Sequence, residues 1–91
     1  MQRSFQKFTA RLDTIGLRDK IAARAITKLV SLRDLYEGPD RAPSITAARR
    51  AVYSWLITQG KGVNEIARLF DRSRSSVSKL IVDRKTKGNG A

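Results

Sequence analysis

The chain has 91 residues, enough for one domain with a modest core and too few for two. It contains no cysteine or histidine, which excludes disulfides, thiolate or imidazole metal sites and every catalytic arrangement built on those side chains. Nineteen basic and eight acidic side chains give a net charge of +11, and such an excess on a small domain suggests a polyanionic partner: DNA, RNA or an anionic membrane.

The positive charge is concentrated in the second half of the chain. Residues 1–40 hold eight basic and five acidic side chains, whereas residues 41–91 hold eleven and three. No apolar run approaches the roughly twenty residues of a spanning helix, so we expect no membrane partner. The lack of cystines and of a signal peptide favours a cytoplasmic location.

Residues 1–16 carry the first predicted helix, which we expect to be capped by Ser4, to run to about Thr14 and to be ended by Gly16. Its apolar residues have the spacing of a core-facing stripe. We interpret the two aromatic members as core or as a dimer contact rather than as a base-stacking platform, because nothing in the chain alternates like a strand. The stripe consists of Phe5, Phe8, Leu12 and Ile15.

A second helical pattern runs from about Leu17 or Arg18 to Leu29. Ser31 then occupies an N-cap position with Asp34 as its partner, which predicts a separate short helical turn. The apolar residues expected to face the core are Ile21, Ala25, Ile26 and Leu29 in the helix, and Leu32, Leu35 and Tyr36 in the turn.

The loop at residues 38–43 carries Arg41 between two prolines. It is either a solvated connector or a basic loop beside the DNA backbone, and the sequence leaves both interpretations open.

The longest helix is expected over residues 45–58 with Ser44 as its N-cap. Arg49 and Arg50 lie off its apolar stripe in the first turns, where cations gain nothing from the helix dipole. This position favours a role for both in ligand binding. Gly60 and Gly62 close the helix. The predicted buried stripe is Ile45, Ala48, Val52, Trp55 and Leu56.

Residues 63–82 predict two helices joined by a tight turn, a helix-turn-helix. A polar gap, Asp71 to Ser76, separates two segments of helical apolar period, and small Ala67 lies where the helices would cross. Aspartate occupies the turn position where glycine is commonest, but it tolerates the left-handed backbone that such a turn needs. The apolar residues are Val63, Ile66, Ala67, Leu69 and Phe70, followed by Val77, Leu80 and Ile81.

The second of these helices has the residues that major-groove recognition requires. Ser73 can cap it, Arg74 can bond guanine O6 and N7 together, and the small serines after it allow a close approach of the backbone. The predicted base-reading residues are Ser73, Arg74, Ser75, Ser78 and Lys79. The predicted phosphate-binding residues are Arg41, Arg49, Arg50, Arg68, Arg72, Ser76, Arg84 and Lys85.

Together these elements predict one all-α DNA-binding domain over residues 1–85, a compact bundle of about five to six helices. Residues 86–91 are expected to form a disordered basic tail.

The region from roughly Ile26 to Lys85 resembles the C-terminal DNA-binding domain of the bacterial replication initiator DnaA, within the wider Trp-repressor-like group. The order of elements matches, from the short SLRDLYEG segment and the basic loop to the long helix TAARRAVYSWLI and then VNEIARLF. The resemblance implies that Arg49 and Arg50 contact phosphates, that Arg41 reaches the minor groove, and that the protein acts in a bacterial cytosol or nucleoid.

The recognition segment departs from the family. Initiators carry an Asp-His-Thr-Thr run, whereas residues 73–76 read Ser-Arg-Ser-Ser and the turn is one residue shorter. The specificity of the family for its DNA box is therefore not carried over. No nucleotide-binding loop of the GxxxxGK[ST] type is present, so the resemblance implies a small stand-alone regulator, or a part of a larger phage-like or mobile-element system.

We therefore expect a sequence-specific binder of double-stranded DNA, acting as a transcription regulator and not as an enzyme, with no cofactor, metal or small-molecule ligand. Two alternatives remain. One is a non-specific architectural DNA binder that acts through charge alone. The other is a replication-control factor whose N-terminal helices recruit a transcription or replication protein, or form a homodimer.

Overall fold

Six helices make up most of the structure, a computed structural model that describes residues 4–39 and 41–81. Within these ranges there is no β-strand, and no helix is long and apolar enough to cross a membrane. The prediction of an all-α bundle of five to six helices is confirmed. The helices are α1 (Phe5–Thr14), α2 (Arg18–Ile26), α3 (Leu32–Glu37), α4 (Pro43–Thr58), α5 (Val63–Phe70) and α6, which is helical over the described residues 74–81.

Serine hydroxyls begin three of the helices, as the sequence predicts. The Oγ atoms of Ser4, Ser31 and Ser73 each accept the backbone N–H three residues ahead, at 3.2, 3.0 and 3.1 Å. Each bond satisfies one of the amide groups that a helix start leaves without a partner.

The N-cap prediction for Ser44 is wrong. Helix α4 begins two residues earlier than predicted, at Pro43, with Ala42 as its N-cap. Proline suits the first helical position because its fixed φ is already helical and its missing N–H is not needed there. Ser44 therefore lies inside the first turn.

Helix α2 is shorter than predicted, and its end reverses the burial of two apolar residues. It stops at Ile26, and Leu29 takes a left-handed backbone with φ of 60°. The Val30 N–H then bonds the Ala25 carbonyl at 3.0 Å, which is the pattern of a Schellman motif. This turn buries Val30 and leaves Ile26 and Leu29 exposed by 59% and 94%, so their predicted place in the core is wrong.

Aromatic rings fill the centre of the bundle and join four helices. The Phe8 ring of α1 stacks on Tyr36 of α3 with centroids 4.4 Å apart and packs against Phe70 of α5 at 5.0 Å. Tyr53 of α4 meets Phe70 edge-on at 5.1 Å. Phe5 lies at the margin of this cluster, 6.4 Å from Tyr36. Phe8 is therefore in the core, and Phe5 packs against the core from its margin.

Three of the five residues in the predicted stripe of α4 are in the core. Ala48, Val52 and Leu56 are fully buried, whereas Ile45 and Trp55 are only partly buried. The Trp55 ring is covered on one face by the Arg24 guanidinium, 4.0 Å from the ring centroid. Trp55 thus anchors α2 to α4 at the edge of the core.

Gly38 marks a close approach between α3 and α4, and its replacement tests this packing. A Cβ atom at this position would collide with the Asp34 backbone carbonyl and with Cδ1 of Ile45. Because a backbone atom cannot swing aside, we expect Gly38→Ala to lower the free energy of unfolding by about 1–3 kcal/mol in urea denaturation. Gly62→Ala is the control, since a Cβ there meets nothing within 4 Å. Equal stability of the two variants would contradict the close approach.

Candidate nucleic-acid interface

The turn between α5 and α6 depends on a carboxylate. Asp71 has φ of 53° and ψ of 42°, so the predicted left-handed turn is present. Its carboxylate accepts hydrogen bonds from the Arg11 guanidinium, at 2.7 Å, and from the Tyr36 hydroxyl. Arg11 also donates to the Leu69 carbonyl at 3.0 Å. The turn is thus tied to α1 and α3, which explains why aspartate can replace the usual glycine.

The protonation of Tyr36 supports this arrangement. Burial raises the pKa of the Tyr36 phenol, and the hydrogen bond to Asp71 raises it further, while Arg11 acts in the opposite direction. The phenol therefore stays protonated at neutral pH and serves as the donor to the carboxylate. The sequence gives no signal for this contact because the two residues are 35 positions apart.

Helix α6 has one side buried in the bundle and the other open to solvent. Val77 is fully buried and fixes the helix against the core. At its start, the Ser73 hydroxyl caps the Ser76 N–H and also donates to the Ser76 hydroxyl at 2.9 Å. Both serines remain exposed.

The open side of α6 brings together four of the five predicted base-reading residues. One shallow surface depression is lined by Arg74, Ser75, Ser78 and Lys79. Ser78 is partly buried and the other three are exposed. Ser73, the fifth, lies at the helix cap and does not line this depression.

The cations of this depression, Arg74 and Lys79, form no ion pair or hydrogen bond within residues 4–39 and 41–81. The ion pairs Arg11–Asp71, Arg18–Asp13 and Arg33–Glu37 all take their cation from the first forty residues. Of the two acidic residues described after residue 40, Asp71 accepts from Arg11, and Glu65 accepts the Gly62 N–H at 3.2 Å. The side chains of Arg74 and Lys79 are therefore not neutralised by any acidic residue that the structure describes.

A second depression, between α4 and α6, adjoins the first because Lys79 lines both. Its volume is about 220 Å³. Three of the predicted phosphate-binding residues are in its lining, which consists of Thr46, Arg49, Tyr53, Arg72, Ser76, Lys79 and Leu80. Of those three, only Ser76 is exposed.

Arg49 stabilises the fold, and the prediction that it lies on the outer side of α4 is wrong. Its side chain is 3% exposed, and its guanidinium donates to the carbonyls of Leu35, at 2.8 Å, and Gly38, at 2.7 Å. Arg72 acts similarly, since it donates to the Tyr36 carbonyl at 2.7 Å. The two guanidinium groups thus satisfy carbonyls at the C-terminal end of α3, where a cation is favourable. We assign Arg49 to this role rather than to a phosphate contact.

The remaining predicted phosphate-binding residues are dispersed. Arg41 is exposed in the loop before α4, and Arg50 is half-buried on α4 without an ion pair to any described residue. Arg68 is exposed but lines a separate cleft between α1 and α5. Arg84, Lys85 and the predicted tail at residues 86–91 lie outside the described residues.

Acidic side chains do not converge on a metal site in the described part of the chain. No group of three or more potential ligands comes together among residues 4–39 and 41–81. The carboxylate of Asp71, which lies in the turn before α6, is already bonded to Arg11 and Tyr36.

No protein-family model, curated protein or solved structure matches the chain.

Proposed function

We propose that this chain is a sequence-specific double-stranded DNA-binding protein of the transcription-regulator type, with α5 and α6 as its helix-turn-helix. The observation that carries this proposal is the depression on the open side of α6, in which Arg74 and Lys79 stand beside two serines without a described acidic partner. Two cations with small hydroxyl side chains on an exposed helix suit the major groove, where hydrogen-bond donors distinguish base pairs.

In this proposal Arg74 and Lys79 donate to base edges, and Arg74 reads guanine through O6 and N7. Ser75 and Ser78 allow the backbone of α6 to approach the groove. Arg41, Arg50 and Ser76 bind phosphates and fix the register without reading sequence. Charge supports the proposal as well, because residues 41–91 hold eleven basic and three acidic side chains.

The resemblance to the DNA-binding domain of DnaA supports the same function. It favours a regulator in the bacterial cytosol or nucleoid. A role in replication control, with recruitment of a partner protein, is the alternative that the resemblance keeps open. Because the recognition segment at residues 73–76 is not shared with the initiators, their specificity for the DNA box is not part of this proposal.

Selection of binding sites from random duplex DNA tests the proposal, and Arg74→Ala tests the base reader. We expect the substitution to weaken binding to the selected site by about 1–3 kcal/mol and to relax the preference at one base pair. Arg74 is exposed, and its side chain forms no hydrogen bond with a residue that the structure describes. The free energy of unfolding should therefore change by less than about 0.5 kcal/mol. If selection from random DNA enriches no site, Arg74 is not a base reader.

A salt titration separates specific binding from architectural coating. We expect the wild type to prefer the selected duplex over a random one at each salt concentration, because base contacts are less sensitive to salt than phosphate contacts. Arg50→Ala should weaken both duplexes about equally and reduce the slope of log K against log salt by about 1. Equal affinity for both duplexes in the wild type would favour the architectural alternative.

A further inference from the structure

A cleft of about 180 Å³ lies where the C-terminal end of α1 meets α5. Engineered protein cavities of about 150 Å³ hold a benzene molecule, so the cleft has room for an aliphatic side chain. Its lining consists of Arg11, Ile15, Lys61, Glu65, Arg68 and Leu69. Ile15 is 38% exposed, although it belongs to the apolar stripe of the first helix.

Only some of the charged side chains in this cleft have a hydrogen-bond or ion-pair partner. Arg11 is bonded to Asp71, and Glu65 accepts the Gly62 N–H. The side chains of Lys61 and Arg68 form no ion pair or hydrogen bond with any residue that the structure describes. The bond from a neutral amide leaves the negative charge of Glu65 in place, so Lys61 and Arg68 give the cleft an excess of one positive charge. These side chains flank an apolar surface formed by Ile15 and Leu69.

The cleft is separate from the depression on α6, since no residue lines both. Arg68 therefore lies in a different setting from Arg74 and Lys79. A DNA phosphate could pair with Arg68 but would leave Ile15 in contact with water. A second copy of the chain is disfavoured, because each copy carries a net charge of +11.

We infer that this cleft is a docking site for a segment of a partner protein that presents an aliphatic side chain beside aspartate or glutamate. The aliphatic side chain covers Ile15 and Leu69, and the carboxylate pairs with Lys61 and Arg68. This inference goes beyond DNA binding, because it assigns a protein partner to a surface that α6 does not use.

The test uses a synthetic acetylated peptide with leucine and glutamate on one helical face, and a counterpart with glutamine in place of glutamate. Both are titrated into the full chain and followed by amide NMR. We expect saturable shifts at Ile15 and Leu69 with the glutamate peptide and at least tenfold weaker binding of the glutamine peptide. Arg68→Glu and Ile15→Ser should each weaken binding of the glutamate peptide about tenfold. Lys20→Glu, at an exposed position of α2, should change the affinity for this peptide less than twofold.

Several results would overturn the inference. Equal losses of peptide affinity in Arg68→Glu and Lys20→Glu would mean that general attraction to the positive chain, and not this cleft, holds the peptide. Shifts at Ile15 on raising the protein concentration alone would mean that a second copy occupies the cleft. Shifts at Ile15 and Arg68 with duplex DNA, as large as those on α6, would restore the predicted phosphate contact of Arg68. A separate outcome bears only on the proposed function: if no duplex DNA binds, the proposed function fails and the peptide result stands.

Discussion

Arg49→Met is expected to lower the free energy of unfolding by about 3 kcal/mol in urea denaturation. The guanidinium donates to the Leu35 and Gly38 carbonyls in the interior, and methionine fills the space but donates nothing. A buried acceptor left without a donor costs about 1–3 kcal/mol, and here two are affected. The end of α3 also loses the favourable charge near its last carbonyls.

Arg50→Met is the matched control for Arg49→Met, because it makes the same change at the adjacent residue. The Arg50 side chain forms no hydrogen bond with a residue that the structure describes. Its replacement should therefore change the free energy of unfolding by less than about 1 kcal/mol. Among folded molecules at low temperature, Arg50→Met should weaken DNA binding and Arg49→Met should not. A stable Arg49→Met protein with impaired DNA binding would show that Arg49 contacts DNA after all.

Asp71→Ala is expected to lower the free energy of unfolding by a similar amount, about 3 kcal/mol. The largest part of this loss comes from the hydrogen bond between the Tyr36 hydroxyl and the charged carboxylate, which contributes about 1.5–3 kcal/mol. The Arg11 ion pair adds less than about 1 kcal/mol, because its side chains are 34% and 38% exposed. Alanine also tolerates the left-handed backbone poorly, at a cost of about 1 kcal/mol.

Asp71→Gly separates the backbone effect from the carboxylate. Glycine adopts the left-handed conformation without strain, so this variant should be more stable than Asp71→Ala by about 1 kcal/mol and still less stable than the wild type. Equal stability of Asp71→Gly and the wild type in urea denaturation would mean that the carboxylate contributes nothing.

The pH dependence of stability checks the burial of Tyr36 together with its contact with Asp71. The pKa of Tyr36 is raised in the folded chain, so the folded state keeps its phenolic proton at a pH where the unfolded chain has lost it. Stability should therefore fall as pH rises above the ordinary tyrosine value of about 10. Tyr36→Phe should remove this part of the decline.

Features set by neighbouring residues could be predicted from the sequence. The hydroxyls of Ser4, Ser31 and Ser73 begin their helices because a cap needs only an amide three residues away. The apolar spacing places Phe8 and Val77 in the core for the same reason, since helical period is local. The pairing of Arg74 with Ser78 and of Ser75 with Lys79 on α6 follows from that period as well, because each pair is four residues apart.

Features that depend on distant parts of the chain needed the tertiary structure. Arg49 and Arg50 are the same residue type side by side, yet only Arg49 meets the carbonyls at the end of α3. Asp71 pairs with Arg11 across 60 positions, which no local pattern reports. The sequence by itself thus determined that these helices exist, though not where α2 ends or α4 begins, and it determined the charged side of α6. Both follow from residues within a turn or two. Which cations are free to bind a partner was decided by packing, since a guanidinium that satisfies buried carbonyls is no longer available at the surface.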